Sequence, residues 1–576
     1  MSETSSTAAM EGETIAKHRS GRPSARIAAV HTCCVTTTAD APETGAAAEV
    51  PSTPWWIGAI GGLAAAVSGL AVAELVSGLA DSLRSPIISV SDRVIDNVPA
   101  PLKTWAIDTF GTSDKAVLLG VVAVLLAAFA AGVGVLTMRR GVRAGLVGVG
   151  VFTAIGVAAS LGRGGGGAFA PLPSLIGGSV TGGALVWLMR RGGLPLAGDA
   201  HPVAIESPAD VTRANAAARM SASGRRQFLG TAAGLTLGAA VIGGFGRWLR
   251  EQGAVAAERL KIVLPTAASP LAAPPAGVEL GVDGVTPFFT PNDDFYRIDT
   301  AMLVPNVDAT TWTMGVTGMV GRSITLTYEE LLARPMIEVD VTLACVSNEI
   351  GGSLVGNARW LGCRLDDLLD EAGIDPGADQ IVGRSVDGFT AGFPTAVLDG
   401  RDAIVAVAMN GEPLPADHGY PARLVVPGLY GYVSATKWLK EIELTTFEAF
   451  QGYWIPRGWS AEGPIKTQCR IDVPTSDTPL AAGSAVPIAG VAWAPTRGIT
   501  RVEVQVDDEP WKDATLGDEY ETTTWRQWTA TWTPTRGEHR IRVRATDGTG
   551  ETQTDEVTEV APDGASGWPS RVVDVS

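Results

Sequence analysis

The stretch Val339–Leu365, VDVTLACVSNEIGGSLVGNARWLGCRL, decides how the C-terminal half of this chain is interpreted. It begins as a β-branched run, which predicts a buried strand that ends at Cys345. A polar turn follows at Ser347, Gly351 opens a glycine-rich loop, and a polar and aromatic cluster comes at Asn357–Trp360. A thiol at the end of a rigid strand, beside a reachable loop, suits a soft-metal ligand or a nucleophile. The alternative is that Cys345 packs as a small hydrophobic residue, as free cysteines usually do.

Length and composition predict several domains and a membrane region. The chain has 576 residues, of which 46% are hydrophobic and only 18% are charged. The net charge of −17 argues against a nucleic-acid partner, because no basic stripe is available to neutralise phosphates. The five cysteines form no CxxC pair, so neither a disulfide framework nor a zinc ribbon is indicated.

The N-terminal half predicts a disordered tail at 1–50 and a membrane region at 51–248. The tail is rich in Ser, Thr, Ala and Glu without apolar periodicity, and its Cys33 and Cys34 receive no role. The apolar stretches that follow have about the length of a transmembrane helix, and their Gly and Ala content fits close helix packing in membrane lipid. These stretches are Trp55–Leu79, Ala116–Met138, Ala144–Leu161, Pro171–Met189 and Phe228–Phe245.

The segment before the fifth stretch resembles a twin-arginine export signal. Arg225 and Arg226 are followed by Gln-Phe-Leu and then by a moderately apolar run. Ordinary anchoring at the cytoplasmic end of a helix is the alternative explanation for these arginines. Further arginines lie between stretches two and three and after stretch four. If positive loops stay inside, the N-terminus is cytoplasmic and the C-terminal half is extracytoplasmic, which predicts a multi-pass protein of the cell membrane.

The predicted spans contain one carboxylate, Glu74, whose charge is energetically unfavourable in a bilayer, and they contain no histidine. Because a membrane haem usually needs axial histidines, no haem is expected. Glu74 is a candidate functional carboxyl, since charges are expensive within a bilayer. The alternatives for Glu74 are a position near the outer interface or a hydrogen bond to a neighbouring helix.

Beyond the spans, the Ala- and Pro-rich residues 249–284 predict a linker that leads into two globular domains. Residues 285–470 mix strands with short helices and predict an α+β domain. Its predicted strands are Trp312–Gly318, Ile337–Leu343, Ala403–Met409 and Arg423–Val426, and its predicted helices are Tyr328–Ala333 and Leu365–Glu371. Regularly spaced strands in 471–576 predict an all-β sandwich of the immunoglobulin type. They are Ala485–Trp493, Ile499–Val506, Trp525–Trp532 and His539–Ala545.

Four segments of the α+β domain carry polar, aromatic and glycine residues together. They are Thr290–Arg297 (TPNDDFYR), the stretch around Cys345, Ser385–Phe389 (SVDGF), and the long run Met409–Leu439, which contains HGYPARLVVPGLYG. In this order the segments resemble the molybdenum domain of the sulfite oxidase family, over residues 285–455. The sandwich that follows resembles the dimerisation domain of the same family.

The resemblance implies a molybdenum–molybdopterin cofactor and the residues that hold it. Cys345 stands at the position of the family's cysteine, whose thiolate binds molybdenum directly. A soft sulfur donor suits a metal whose oxidation state changes by two units during the reaction. The implied catalytic residues are Cys345, Arg297 and Tyr430. The implied cofactor contacts are Asn292, Tyr296, Arg297, Ser347, Ser385, His418, Arg423, Ser434 and Lys437.

The departures from the family pattern concern the substrate. Where sulfite-oxidising members have an arginine after the cysteine, this chain has Ile350, and the catalytic tyrosine of the third segment is Phe389. Arg297 is the nearest cation of the first segment. The pattern argues against efficient sulfite oxidation, because a dianion in a water-excluded site needs compensating charge. The candidates to replace the missing groups are Glu349, Arg359 and Tyr430.

The sequence therefore predicts a membrane-anchored, extracytoplasmic molybdenum–pterin oxidoreductase that transfers an oxygen atom between water and a small substrate. The resemblance implies an external electron carrier such as a cytochrome, and it suggests a homodimer. Three alternatives stay open. They are a sulfoxide-type reductase, a cofactor-free membrane scaffold, and a thiol enzyme in which His418 activates Cys345.

Overall fold

The computed structural model describes residues 54–79, 83–98, 114–161, 169–191, 226–244, 261–301 and 304–576, with the single residues Thr109 and Arg259. The predicted disordered tail, with Cys33 and Cys34, lies outside the described residues. Arg225 of the predicted export signal also lies outside them. The described chain comprises N-terminal helices, an α+β domain and a β-sandwich.

Among the described residues, five helices are long and apolar enough to cross a membrane, by length and composition alone. They coincide with the five predicted stretches. The N-terminal helices are α1 (Trp55–Ser77), α2 (Pro86–Asn97), α3 (Asp114–Arg140), α4 (Val142–Ser160), α5 (Leu172–Arg191) and α6 (Arg226–Gly244). Helix α2 has only 12 residues, which is too short to cross a bilayer, and it lies between α1 and α3 in the chain.

Helices α1 and α3 approach each other through glycine. A Cβ placed on Gly62 would lie 2.0 Å from the carbonyl oxygen of Ala130, and one on Gly134 would lie 1.9 Å from that of Gly58. Only the absence of these side chains lets the two backbones come so close. Such packing is typical of helices in lipid, where apolar burial does not drive one helix against another.

Helix α2 is tied to the end of α1. Its N-cap residue Ser85 accepts a hydrogen bond on Oγ from the backbone N–H of Ile88 at 3.4 Å, and Pro86 occupies the first helical position. The Ser85 hydroxyl also donates a hydrogen bond to the carboxylate of Glu74. This contact fits the alternative in which Glu74 is bonded to a neighbouring helix, and a functional role for Glu74 stays a prediction.

Residues 261–301, which include the end of the predicted linker, pack against both globular domains. The N–H of Ala268 donates to the carbonyl of Met336 at 2.8 Å, and the N–H of Leu280 donates to the side chain of Gln527 at 2.8 Å. Val278 is buried in the hydrophobic core. The described part of this segment is therefore fixed along its length, although its Ala- and Pro-rich composition has no apolar periodicity.

The α+β domain contains two five-stranded sheets. Its elements are β1 (Thr313–Gly318), β2 (Ile324–Thr327), α7 (Tyr328–Leu332), β3 (Met336–Ala344), β4 (Val355–Arg364), α8 (Leu365–Ala372), β5 (Gln380–Ser385), β6 (Thr390–Pro394), β7 (Ile404–Met409), β8 (Glu412–Pro413), β9 (Arg423–Val425), α9 (Gly431–Ser434) and β10 (Leu439–Thr445). One sheet has the order β2-β1-β10-β5-β6, with β1 and β10 parallel. The other has the order β3-β4-β7-β8, and β9 also pairs with β7.

The stretch around Cys345 forms the antiparallel pair β3–β4, in which Ala344 lies opposite Val355. The polar residue Asn357 lies inside β4 and is fully buried. Its Oδ1 accepts from the Thr342 hydroxyl at 3.0 Å, and its Nδ2 donates to the carbonyl of Phe288 at 2.9 Å. A buried amide is tolerated here because its donor and acceptor are both satisfied.

The C-terminal sandwich packs two four-stranded sheets face to face around a hydrophobic core. Its strands are β11 (Gln468–Val473), β12 (Val486–Trp493), β13 (Ile499–Val506), β14 (Lys512–Asp513), β15 (Thr515–Leu516), β16 (Arg526–Trp532), β17 (Gly537–Asp547) and β18 (Ser570–Val575). The sheet orders are β11-β12-β16-β15 and β14-β13-β17-β18. The fold class predicted for this region, an all-β sandwich, agrees with the structure.

Two tryptophans of the sandwich region belong to the hydrophobic core of the α+β domain. Trp493 of β12 and Trp525, which precedes β16, are buried among core residues of the α+β domain. Thr342 of β3 donates its N–H to the carbonyl of Thr523 at 3.0 Å and accepts on Oγ1 from the N–H of Trp525 at 2.7 Å. The indole N–H of Trp525 donates to the carbonyl of Phe288 at 2.8 Å. Strand β3 is thus bonded to β4 along one edge and to the segment Thr523–Trp525 at Thr342.

Candidate active site

The end of β3 places the thiol of Cys345. The N–H of Cys345 donates to the carbonyl of Leu354 at 2.9 Å, and its own carbonyl accepts from Asn348 at 3.1 Å, so the turn is closed. The thiol is 8% exposed, and the N–H of Ser347 donates to Sγ at 3.4 Å. Burial raises the pKa of the Cys345 thiol, while the hydrogen bond from Ser347 lowers it. A thiolate at this position needs a cation or a metal beside it.

The Cys345 side chain lines a cavity, here called the thiol cavity, with an empty space of about 900 Å³ counting the part open to solvent. The lining combines one thiol, two cations, two carboxylates and several aromatic rings. The residues are Phe295, Tyr296, Ile298, Asp299, Thr300, Cys345, Val346, Ser347, Ser385, Asp387, Phe389, His418, Arg423, Gly431, Tyr432, Ala435, Lys437, Trp438, Trp454 and Trp459.

Arg423, the first residue of β9, is a buried cation with incomplete compensation. Its guanidinium lies over the ring of Trp360 at 4.9 Å, and its Nη1 donates to the carbonyl of His418 at 3.2 Å. Burial lowers the pKa of Arg423 to about 10, offset in part by Tyr296. Among the described residues, no carboxylate lies within ion-pair distance of Arg423. A buried charge without a counter-ion is expensive, so the site favours an anionic ligand.

Lys437 supplies the second cation of the thiol cavity. Its Nζ donates to Asp299 Oδ2 at 2.9 Å and to the carbonyl of Asp417 at 3.0 Å. Burial lowers the pKa of Lys437 to about 8, against the opposing effect of Asp299. Arg297 bonds the same Asp299 through Nε at 2.9 Å and also approaches Asp417. Arg297 is more than one-third exposed and is not among the lining residues.

His418 holds a neutral imidazole in the cavity wall. Its Nε2 lies 2.9 Å from the carbonyl of Asn292, which assigns the proton to Nε2, and its ring packs edge-on against Phe295. Burial lowers the pKa of His418 to about 4, with the nearby Arg423 acting in the same direction. A neutral histidine and a thiol of raised pKa that line one cavity do not form a thiolate–imidazolium pair. This argues against the thiol-enzyme alternative for Cys345.

The structure gathers most of the proposed site residues and leaves others outside the lining. Those that line the thiol cavity are Cys345, Tyr296, Ser347, Ser385, His418, Arg423 and Lys437. Asn292, Arg297, Tyr430 and Ser434 do not line it. Asn292 donates from Nδ2 to the carbonyl of Met409 at 3.3 Å, and Ser434 donates to the carbonyl of Tyr430 at 3.1 Å, so both brace nearby backbone. The roles assigned to all these residues stay predictions.

None of the residues considered as replacements for the missing substrate groups is among the lining residues of the thiol cavity. Arg359 pairs with Asp340 through Nε at 2.9 Å and Nη2 at 2.8 Å. Neither Glu349 nor Ile350 lines the cavity, and Ile350 packs beside Gly567 of the sandwich. Burial, with a smaller effect of the nearby Cys345, raises the pKa of Tyr430 to about 12. Tyr430 is thus close to the thiol, but its hydroxyl accepts from the N–H of Lys466 at 3.4 Å.

Sequence reasoning missed the aromatic part of the cavity wall. Tyr432, Trp438, Trp454 and Trp459 all line it, and Trp454 packs edge-on against Trp459 at 6.2 Å between ring centroids. Trp454 and Trp459 come from the loop after β10, in the run GYWIPRGW at 452–459. Loops often carry binding residues, so this run was a candidate, but its sequence does not tell which cavity it lines.

The donor set fits the molybdenum–pterin group that the resemblance implies. Within the residues that the structure describes, no cluster of three or more His, Cys, Asp or Glu could hold a metal ion. A metal bound at Cys345 would therefore take its other ligands from a cofactor and not from the chain. The cofactor's phosphate matches the uncompensated guanidinium of Arg423, and its ring edges match the polar groups of the wall.

Comparison with known families agrees with this assignment. Residues 301–454 match the family described as "Oxidoreductase molybdopterin binding domain", and residues 468–543 match the family described as "Bacterial Ig domain". The first match covers most residues that line the thiol cavity, but not the segment Phe295–Thr300 or Trp459, and the second covers most strands of the sandwich.

Several curated proteins are similar to the chain. It is 34% identical over 156 residues to the uncharacterized oxidoreductase YuiH of Bacillus subtilis, covering 27% of this chain and 76% of that protein. It is 29% identical over 289 residues to the mitochondrial sulfite oxidase of Rattus norvegicus, covering 42% of this chain and 52% of that enzyme. The chain thus spans about half the length of the sulfite oxidases it matches.

Among solved structures, the sulfane dehydrogenase SoxCD from Paracoccus pantotrophus is similar over 55% of this chain and 90% of that chain. The two are 20% identical and superpose with a TM-score of 0.45.

Proposed function

Because this chain belongs to the family of oxidoreductases with a molybdopterin-binding domain, we propose that it is a membrane-anchored enzyme that performs two-electron oxygen-atom transfer on a small substrate. The observation that carries the proposal is the pairing, in one cavity, of the Cys345 thiol with the buried and uncompensated Arg423. A soft ligand and an unmatched cation are what a metal–dithiolene group with a phosphate requires.

The chain's own residues bind and orient the cofactor, which supplies the metal-centred oxygen chemistry when it is bound. The Cys345 thiolate would be the protein's metal ligand. Arg423 and Lys437 would hold the phosphate, and the neutral imidazole of His418 would offer Nδ1 as an acceptor because Nε2 is already engaged. Tyr296, whose pKa is raised by burial, stays protonated and can donate from its hydroxyl. The aromatic wall excludes water, which strengthens each of these contacts.

The charge inventory of the thiol cavity favours a substrate that is not a dianion. Two cations, Arg423 and Lys437, face two carboxylates, Asp299 and Asp387. A bound phosphate would engage both cations, so no spare positive charge would remain for sulfite. The name of the sulfite oxidase relative makes sulfite the first substrate to assay, and we expect a neutral oxygen acceptor or donor to react better.

The membrane position and the extracytoplasmic location belong to the same proposal. Five helices have the length and apolar composition of spans, and α2, between the first two, contributes to a cavity with the α+β domain. The arginine-rich loops favour a cytoplasmic N-terminus, which puts α2 and the catalytic half on the outer side. An internal twin-arginine signal would export the domain after the cofactor has been inserted.

The expected partners follow from the reaction and the resemblance. Two electrons must leave or enter at each turnover, so an external carrier such as a cytochrome is expected. The sandwich is expected to mediate a homodimer, and membrane lipid would surround the spans. A reductase acting on sulfoxides is the same chemistry run backwards, and assays in both directions will decide between them.

The proposal is tested by elemental analysis of the purified chain and of two serine variants. The parent and Cys363→Ser should each carry about one molybdenum per chain and oxidise or reduce a substrate. Cys345→Ser should lose the activity. Cys363 is the matched control, because it is a second buried thiol of the same domain that does not line the cavity. Protein from molybdate-replete cells that contains no molybdenum would reject the enzyme and favour the scaffold alternative.

A further inference from the structure

A second cavity lies between the N-terminal helices and the α+β domain, and we call it the junction cavity. Its empty space is about 1320 Å³, counting the part open to solvent. Ser85, Ile88 and Ser89 of the α2 region form one side, and Asn306 and Trp312 belong to the other. Since α2 joins two helices long enough to cross a membrane, a lipid-soluble molecule could reach this cavity from the bilayer surface.

The junction cavity and the thiol cavity share a thin wall. Thr300 lines the thiol cavity, and the next residue, Ala301, lines the junction cavity. In the same way, Trp438 lines the thiol cavity and Lys440, two residues later, lines the junction cavity. Asp387 lines both cavities, so the wall at this point is a single side chain. Electrons and protons that leave the thiol cavity would have only this wall to cross.

Two buried polar atoms around the junction cavity, one on Asp387 and one on Ser89, have no hydrogen-bond partner among the described residues. The Asp387 carboxylate accepts on Oδ1 from the N–H of Phe389 at 3.0 Å, but its Oδ2 is buried without a partner in the described part of the chain. On the opposite side, the hydroxyl of Ser89 is likewise buried and unbonded within the described residues. Such atoms are rare in folded proteins and require an explanation, and a polar ligand beside them would supply one.

The groups that line the junction cavity match one class of redox ligand. A quinone has two carbonyl oxygens that accept hydrogen bonds, an apolar ring and an apolar tail. Ser89 and Lys440 can donate to the carbonyls, and Ile88 and Trp312 offer apolar surface to the ring. We propose that the junction cavity binds a membrane quinone, which serves as the two-electron acceptor of the enzyme. This inference rests on the proposed function for its source of electrons.

The redox stoichiometry closes without a further reactant. Adding an oxygen atom from water to the substrate releases two electrons and two protons. The quinone takes up both electrons, and its two carbonyl oxygens take up both protons to become the hydroxyls of the quinol. The Asp387 carboxylate, which faces both cavities, is placed to pass the protons. The predicted spans contain no histidine, so their sequence offers no pair of axial ligands for a haem between the two sites.

The first test measures binding alone and needs no molybdenum. Decylubiquinone is titrated by calorimetry into the full chain held in phospholipid nanodiscs. Two variants fill the junction cavity from opposite sides, Ser89→Phe and Asn306→Trp, and both should bind about 10-fold more weakly or not at all. Asn97→Trp is the matched control, since Asn97 is exposed at the far end of α2 and should leave binding unchanged. Absent binding by the parent, or equal binding by all four proteins, would overturn the proposal.

The second test follows electrons in the molybdenum-loaded protein. After reduction by dithionite, the parent should be reoxidised by decylubiquinone, and Ser89→Phe should be reoxidised about 10-fold more slowly. Ferricyanide, which is soluble and can enter the thiol cavity directly, should reoxidise both proteins equally. Reoxidation by cytochrome c but not by the quinone would reject the inference and leave the proposed function intact. If the protein holds no molybdenum, the proposed function fails, and the binding test still decides on the cavity.

Discussion

The thiol cavity and the sandwich differ in how many bonding partners compensate a buried charge. In the sandwich, Asp547 is completely buried, and its carboxylate accepts from Arg497 Nε at 2.8 Å, from Thr467 at 2.7 Å and from Thr549 at 2.6 Å. In the thiol cavity, Arg423 is 5% exposed, and its hydrogen bonds within the described residues go only to backbone carbonyls. One region compensates its buried charge fully, and the other does not.

This difference distinguishes charge that stabilises a fold from charge that is kept for a ligand. A buried ion with a full set of partners cannot lose one of them without a large cost, whereas a buried ion that lacks a counter-ion destabilises the empty protein. The sandwich is therefore expected to respond to charge removal by unfolding. The thiol cavity is expected to respond by losing its ligand.

The largest expected effect is in the sandwich. Arg497→Met leaves the carboxylate of Asp547, whose pKa the surrounding hydrogen bonds hold well below its usual range, without its cation. We expect the free energy of unfolding to fall by about 3 kcal/mol, seen as a drop of roughly 6–12 °C in Tm. Arg501→Met is the control, because this arginine is half-exposed and its ion pairs should contribute under about 1 kcal/mol. Equal decreases in Tm for Arg497→Met and Arg501→Met would contradict the prediction that the buried ion pair contributes more to stability.

The next effect should have opposite signs in the empty and the loaded protein. Arg423→Met removes an uncompensated buried guanidinium, so the Tm of the cofactor-free chain should stay unchanged or rise. In the loaded protein the same change removes a charge-assisted contact, and molybdenum and pterin retention should fall about 10-fold or more. Both are measured on one preparation, before and after cofactor release.

The control for this prediction is Arg384→Met, which removes a guanidinium of β5 that pairs with Glu443 at the surface. It should leave cofactor retention unchanged. A cofactor-free Arg423→Met protein that is much less stable than the parent would show that Arg423 is a structural residue and not a ligand-binding one.

A smaller effect is expected from the pH dependence of His418. Its folded pKa of about 4 lies below the ordinary 6.5, so the unfolded chain binds more protons between these values. Stability should therefore fall as the pH decreases from about 6.5 towards 4. His418→Gln should flatten this part of the curve of Tm against pH. An unchanged slope would mean that His418 is not held neutral.

The smallest effect is expected from His539, the histidine of the sandwich, and it has the opposite sign. The hydrogen bond from its ring to Asp507 raises the pKa of His539 above 6.5. Its contribution is therefore complete below pH 6.5 and is lost as the pH rises through the folded value. His539→Gln should lower the Tm by roughly 1 °C at pH 6 and not at pH 9, because the pair is near the surface. A loss at both pH values would assign the effect to packing.

Local patterns were sufficient for the five long apolar helices, for eight of the eighteen strands in the described part of the chain and for the place of Cys345. Apolar length predicted the five long helices, and β-branched runs predicted β3 and β7 to within about a residue. Strand β4 was not recognised, because its polar Asn357 interrupts the apolar pattern. The amide of Asn357 is buried because Thr342 and Phe288 satisfy its hydrogen bonds. Both partners are remote from Asn357 in the sequence, so no local pattern shows them.

The composition of the thiol cavity was only partly accessible for the same reason. Arg423 and Lys437 could be proposed from the resemblance, since both lie in one motif-bearing segment. Trp454 and Trp459 reach the cavity from the loop after β10, and no local pattern tells where a loop will pack. Arg297 was assigned to the site by its sequence position, but its bonds to Asp299 and Asp417 turn it away from the lining.

The tryptophans that the sandwich region contributes to the core of the α+β domain have a consequence for how such chains can be recombined. Trp493 and Trp525 fill the α+β core from the sandwich side, and Thr342 bonds directly to the segment that carries Trp525. A sandwich from another protein would bring neither tryptophan to the right place, so domain exchange would open a void behind β3. The α+β domain is thus expected to depend on its own sandwich, and a protease that cuts between the two would expose the core surface that Trp493 and Trp525 cover.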